Sequence, residues 1–102
     1  MKYVDSDLFV SFDVMKDSKP SKVLSVGVVA YDPDGNHLVS GVATHKGSEV
    51  SYKLERRHVK SPGEYTFVFH VRIPHVGEIS HVIKEKVKAL PVSAKVSRQI
   101  AG

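Results

Sequence analysis

Cysteine is absent from this sequence. Disulfides, thiolate zinc sites and blue-copper ligation are therefore excluded, and stability depends on core packing. Long hydrophobic runs are also missing, because no apolar stretch reaches the ~18 residues of a membrane-spanning helix. Met1 is followed by Lys2, Asp5 and Asp7 rather than by the apolar core of a signal peptide. The lack of cysteine favours a reducing compartment or a prokaryotic source, but a domain excised from a secreted protein has the same features, so the compartment stays open.

Helical spacing of apolar residues is scarce, and the dominant pattern is an alternation of apolar and polar residues. A chain of 102 residues has the size of one domain. Valine is abundant, and turn residues recur about every ten positions, as in sandwiches of short strands. The sequence predicts an all-β, immunoglobulin-like antiparallel β-sandwich of about seven to eight strands over residues 1–90, followed by a C-terminal tail or linker at residues 91–102.

The alternation also predicts the core. Large apolar residues occupy the even positions of residues 8–14 and the odd positions of residues 65–73, while residues 23–31 carry valine on both faces, as in a central strand. The turn at residues 32–36 predicts a hairpin in which Asp side chains bind local amides. The residues expected in one core are Leu8, Val10, Phe12, Val26, Val28, Tyr65, Phe67, Phe69 and Val87.

Two motifs resemble a known module. Residues 31–36 read Tyr-Asp-Pro-Asp-Gly-Asn after a valine-rich strand, and residues 61–69 read Ser-Pro-Gly-Glu-Tyr-Thr-Phe-Val-Phe. Together they resemble the Golgi-dynamics (GOLD) β-sandwich module of cargo-sorting and adaptor proteins, over residues 7–90. Membrane-anchored members of that family carry a disulfide pair, whereas cysteine-free modules of cytosolic members do not need one. The resemblance implies protein–protein recognition.

Residues 61–65 equally resemble the tyrosine corner of immunoglobulin-like sandwiches. In that feature a glycine turns the chain, and the hydroxyl of a tyrosine at the start of a strand binds a backbone group. This resemblance implies that Tyr65 has a structural role, with a backbone partner for its hydroxyl, rather than a role in binding.

Positive charge is concentrated in the second half of the chain. Residues 1–50 hold five Lys/Arg against seven Asp/Glu, and residues 51–102 hold ten against four. This asymmetry favours a protein partner with an acidic surface. Lysines on an outer strand also protect a sheet edge against aggregation, and that interpretation stays open. The candidate partner-binding residues are Arg56, Arg57, Lys60, Lys84, Lys86 and Lys88.

Nucleic acid is not expected as a partner. Binding a single strand requires aromatic side chains beside the charges, and we expect every phenylalanine and most tyrosines at core positions. Contact with a membrane is expected only through a partner or an anchor outside this sequence.

Three of the six histidines form an alternative site. His70, His75 and His81 are close in sequence, and cysteine-free sandwiches that carry copper use imidazole ligands. However, no His-x-His or His-x3-His pair is present, which favours loop or surface histidines without a metal.

The sequence shows no catalytic motif: it has no nucleophile elbow, no cysteine nucleophile and no Gly-rich phosphate loop before a helix. We therefore expect a non-catalytic protein–protein recognition or assembly module without a cofactor. A small copper- or zinc-binding sandwich protein and a structural domain of a cell-surface or appendage assembly are the alternatives.

Overall fold

The computed structural model describes residues 2–89, which form an all-β fold with antiparallel sheets and one short 3₁₀ turn at Arg56–His58. The all-β prediction is confirmed. The predicted tail at residues 91–102 lies outside the described residues. Within residues 2–89, no helix is long and apolar enough to cross a membrane. In chain order the strands are β1 (Leu8–Asp13), β2 (Met15–Lys16), β3 (Lys19–Pro20), β4 (Ser25–Tyr31), β5 (His37–Val42), β6 (Thr44–Lys46), β7 (Glu49–Leu54), β8 (Gly63–Ile73) and β9 (Gly77–Val87).

Seven of these strands form two antiparallel sheets. The first sheet has three strands in the order β1-β7-β6, and the second has four in the order β5-β4-β8-β9, while β2 and β3 pair as a small separate hairpin. The valine-rich strand β4 lies between β5 and β8, so its predicted central position is confirmed. The hairpin between β4 and β5 is confirmed as well, since the two strands pair in antiparallel register across the turn.

The chain passes from one sheet to the other at Ala43. β5 ends at Val42, and β6 begins at Thr44 in the other sheet. Ala43 is buried between the sheets, and its N–H donates to the carbonyl of Val26 at 3.1 Å. The small buried side chain allows the close approach that this crossing needs.

Both sheets contribute to a common core, an arrangement compatible with a β-sandwich. Phe12 of β1 meets Phe69 of β8 edge to face, with ring centroids 5.0 Å apart. Tyr52 of β7 similarly meets Phe67 of β8 at 6.3 Å. All of the predicted core residues belong to this cluster, with Phe12 partly buried and the others buried. Aromatic rings from facing strands therefore join the two sheets.

Phe9 departs from the sequence-based prediction that every phenylalanine lies in the core, since its side chain is 62% exposed. The prediction was wrong at this residue because side chains alternate between the two faces of a strand. Leu8 and Val10 point into the core, so Phe9 between them must lie on the outer face of β1.

Several loops gather at one end of the molecule. Leu8 at the start of β1 pairs with Leu54 at the end of β7, and Gly63 at the start of β8 pairs with Val87 at the end of β9. The connection at residues 55–62 therefore lies at the same end as both of these pairs. We call this the Arg56 end.

Candidate functional site

The outer face of the three-stranded sheet carries three rows of side chains. The middle row consists of the short polar side chains of Ser11, Ser51 and Thr44. Thr44 Oγ1 donates to the carbonyl oxygen of Ser51 at 3.1 Å, and the hydroxyls of Thr44 and Ser51 lie 3.0 Å apart. These hydroxyl groups satisfy one another and leave a low surface between taller neighbours. From the Arg56 end, the rows are Phe9–Lys53, Ser11–Ser51–Thr44 and Asp13–Glu49–Lys46.

A groove of about 600 Å³ is lined by residues of this sheet, among them Phe9, and by Val42 at the end of β5 in the other sheet. We call it the Phe9 groove. Val42 is 80% exposed, the highest value among the exposed large apolar side chains of the described residues. Burial of apolar surface contributes about 25 cal/mol per Å², and exposed apolar patches often mark interaction sites. The two side chains give the groove an apolar end that a partner can cover.

Sequence reasoning missed Phe9 and Val42 as surface residues. The sequence did carry a signal for Phe9, because it stands at an odd position in a run whose core residues are all at even positions. Val42 faces outward opposite Gly27, a register that becomes known only from the strand pairing. A large apolar residue out of phase with its strand is therefore a useful marker for a surface contact.

A second, polar cavity of about 720 Å³ lies at the Arg56 end, and we call it the Arg56 pocket. Lys53 lines both this pocket and the Phe9 groove, so the two are neighbours on one surface. The backbone N–H of Arg56 donates to Asp7 Oδ1 at 2.9 Å, which fixes the 3₁₀ turn to the segment before β1. The residues lining the pocket are Asp7, Lys53, Glu55, Arg56 and Arg57.

Within residues 2–89, two of the cationic side chains that line the Phe9 groove or the Arg56 pocket have no acidic partner. Arg57 Nε donates to Glu55 Oε1 at 3.0 Å, and Lys60 Nζ lies 3.0 Å from Asp5 Oδ1. Within residues 2–89, neither Lys53 nor Arg56 forms an ion pair. These two side chains are therefore available to an anionic ligand, whereas Arg57 and Lys60 must first exchange a partner.

Tyr52 lies between the core and the Phe9 groove. Its ring packs against Phe67 in the core, and it also lines the Phe9 groove. Burial raises the pKa of the Tyr52 hydroxyl, and the negative charge of nearby Glu55 raises it further. The phenol therefore stays protonated at neutral pH.

The structure places the remaining predicted lysines on the other sheet. Lys84 and Lys86 lie opposite Thr66 and Glu64 on the outer face of the four-stranded sheet, and Lys84 Nζ is 4.0 Å from Glu64 Oε1. Lys88 follows β9 and forms a parallel bridge with Tyr3. The candidate basic residues are thus divided between the connection at residues 55–62 and the four-stranded sheet with its following residue Lys88, and only Arg56 and Arg57 of them line the pocket.

The three candidate histidines are not brought together. His70 lies on the outer face of β8, where Nδ1 is 3.3 Å from Ser80 Oγ, whereas His81 stacks on Phe12 at 4.3 Å on the inner face of β9. His75 lies in the turn between these strands. Among the residues that the structure describes, no group of three metal-ligating side chains is suited to hold an ion. The histidine metal site therefore has no geometric support.

No family model matches this chain, and searches of curated proteins and of solved structures give no significant match.

Proposed function

We propose that this chain is a non-catalytic recognition or assembly module that binds a protein segment with acidic side chains next to an apolar one. One observation carries the proposal: Lys53 joins the apolar end of the Phe9 groove to the Arg56 pocket. A ligand that fills the groove with an apolar side chain brings its neighbouring carboxylates to Lys53 and Arg56.

The two parts of this surface have different tasks. Covering Phe9 and Val42 supplies affinity, because both lose apolar contact with water. The cations supply orientation and a faster approach of an acidic partner, since charges at the rim of an interface act mainly on the association rate. We therefore expect affinity to fall moderately with salt, rather than to be abolished by it.

The fold that we propose for this module is immunoglobulin-like. Support comes from the sheet orders β1-β7-β6 and β5-β4-β8-β9, which correspond to a three-stranded sheet facing a four-stranded one, as in variable-type sandwiches without their strands A and C″. The bond between Tyr65 and Ser61 gives further support, because it has the form of a tyrosine corner. A GOLD-like role in cargo sorting or adaptor function is one version of this proposal, and it rests on the sequence motifs alone.

The test uses selected ligands. A random peptide library is displayed against the immobilised chain, and enriched peptides are titrated while backbone amide shifts are followed by NMR. We expect enriched peptides to pair an apolar residue with Asp or Glu, and the largest shifts at Phe9, Lys53 and Arg56.

Variants then separate the apolar and the charged contributions. The double variant Lys53→Glu with Arg56→Glu should weaken binding by about tenfold or more, and Val42→Ser should weaken it while leaving the salt dependence unchanged. Lys19→Glu, on the exposed β3 away from the Arg56 end, is the matched control and should bind normally. Peptides that ignore both the charge reversal and Val42→Ser would refute the site, and turnover of a small substrate by the isolated chain would refute the non-catalytic assignment.

A further inference from the structure

The outer face of the four-stranded sheet has an apolar row at its centre. Ser40 lies opposite Val29, Val29 opposite Val68, and Val68 opposite Val82, so one line crosses all four strands. We call it the valine row. Val82 is 51% exposed, and the other two valines are partly exposed.

Charges of opposite sign lie symmetrically on either side of this row. Toward the Arg56 end, Glu64 lies opposite Lys86 in the strand register, and toward the other end, Arg72 lies opposite Glu78. Glu64 and Arg72 are equally far from Val68 along β8, and Lys86 and Glu78 are equally far from Val82 along β9. Each strand therefore carries an acid and a base at matching distances from the valine row.

This pattern is complementary to itself. Consider a two-fold axis that lies above the face, parallel to the valine row and perpendicular to the strands. It places a second copy face to face with the first and exchanges the two ends of each strand. In two copies packed face to face around that axis, Glu64 lies over Arg72 of the second copy and Lys86 lies over Glu78. Lys84 then lies over Ser80, so like charges do not meet.

The sizes of the side chains follow the same symmetry. Tyr31 and Gly27 flank Val29 on β4 at equal distances, so the axis places the ring of Tyr31 over the glycine of the second copy. Valines meet valines at the centre. Matching both charge and bulk under one operation is what an isologous interface requires.

We propose that this face binds a second copy of the chain in an isologous dimer. The proposal goes beyond the recognition function. Val42, which lies opposite Gly27 at the end of β5, belongs to both surfaces, whereas Phe9, Lys53 and Arg56 lie outside the four-stranded sheet. The charge variants at Lys53 and Arg56 and those at Glu64 and Arg72 therefore test the two proposals separately. With about 3.3 Å per residue and about 4.8 Å between strands, the four strands cover about 550 Å² per copy. The total is then about 1,100 Å², close to the lower limit of standard interfaces. The dimer is therefore expected to dissociate on dilution.

Sedimentation equilibrium over a wide range of concentrations tests this proposal. The wild-type chain should pass from the mass of one chain to the mass of two, and Val82→Glu should remain monomeric because it buries a carboxylate between valines. Val82 is half exposed, so this variant retains the fold, and circular dichroism verifies this.

Charge exchange tests the two-fold axis itself. Glu64→Arg and Arg72→Glu should each weaken the dimer by about tenfold or more, since each places like charges together across the interface. The double variant Glu64→Arg with Arg72→Glu should restore it. Lys53→Glu, on the other sheet, is the matched control and should dimerise as the wild type does.

Two results would exclude a dimer on this face, and a third would exclude the proposed axis. A chain that is monomeric at every accessible concentration excludes the dimer, and a dimer that survives Val82→Glu uses another surface. A double charge exchange that fails to restore association would refute the proposed axis. The predicted dependence of peptide binding on Lys53 and Arg56 is unaffected by any of these results.

Discussion

The hydroxyl of Tyr65 donates a hydrogen bond to the carbonyl oxygen of Ser61 at 2.7 Å, and the N–H of Ser61 donates to the same phenolic oxygen at 3.3 Å. Tyr65 is fully buried near the start of β8. One side chain thus satisfies both polar backbone groups of a loop residue at the point where the chain enters the core. The predicted backbone partner for this hydroxyl is confirmed.

Removal of this hydroxyl should be costly. Tyr65→Phe is expected to lower the free energy of unfolding by about 0.5 to 1.5 kcal/mol, since the hydrogen bond is lost and the Ser61 carbonyl must find another partner. Urea denaturation measures the change. Tyr31→Phe is the control, because within residues 2–89 the Tyr31 hydroxyl makes no hydrogen bond. An unchanged midpoint with an unchanged slope for Tyr65→Phe would contradict the structural role.

Gly63 supports a second prediction, because it combines an unusual backbone angle with a close neighbour. Its φ is +134°, and an added Cβ would lie 2.6 Å from Cβ of Pro33. Gly63→Ala should therefore destabilise the fold by about 2 kcal/mol or more, from both strain and overlap. Thermal unfolding measures this loss.

Gly35 is the matched control, with φ +85° and no atom within 4 Å of an added Cβ. Gly35→Ala should carry only the backbone penalty of about 1 kcal/mol. In a Pro33→Gly background, Gly63→Ala should cost less than it does in the wild type, because the overlap with the proline ring is gone and only the backbone strain remains. Equal losses for Gly63→Ala and Gly35→Ala would show that the contact with Pro33 is unimportant.

The sequence predicted the strands better than it predicted the surface. Alternation is a local property, so the burial of Phe67 and Phe69 and the central position of β4 could be read from neighbouring residues. Which strands become neighbours is not local. The separation of Lys84 on β9 from Arg56 in the 3₁₀ turn depends on that pairing, as does the presence of Val42 and Lys53 in one groove.

The turn between β4 and β5 gives a third prediction. Asp32 Oδ1 accepts from the N–H groups of Asp34 at 2.9 Å and of Asn36 at 2.8 Å, as the sequence predicted for this turn. Asp32→Ala should lower the free energy of unfolding by about 1 kcal/mol, whereas Asp32→Asn keeps an oxygen acceptor and should lose less. The control Asp34→Ala removes an exposed carboxylate and should change stability by less than about 0.5 kcal/mol. Chemical denaturation of the three variants should give this order, and an Asp32→Ala variant as stable as Asp34→Ala would contradict it.

Tyr52 makes the stability of the fold depend on alkaline pH. Burial raises the pKa of its hydroxyl above the usual value, and Glu55 adds to this effect. The folded state therefore holds the phenolic proton more tightly than the unfolded state, in which the group titrates near about pH 10. Below that pH both states are protonated and the full stability is present. Above it, the unfolded state loses its proton first, so stability falls as pH rises through the pKa of the folded state.

The measurement compares the wild type with Tyr52→Phe in urea, from about pH 8 to about pH 12. Phenylalanine cannot ionise, so the stability difference between the two proteins should be constant up to about pH 10 and should then move in favour of the variant. Glu55→Gln removes the smaller cause of the raised pKa. The free energy of unfolding that this variant loses at alkaline pH should therefore lie between the losses of the wild type and of Tyr52→Phe. The ionisable side chains other than Tyr52 and Glu55 are common to all three proteins, so their contributions cancel in the comparison. Parallel stability curves for the wild type and Tyr52→Phe over the whole range would show that this phenol is no harder to ionise in the folded chain than in the unfolded one.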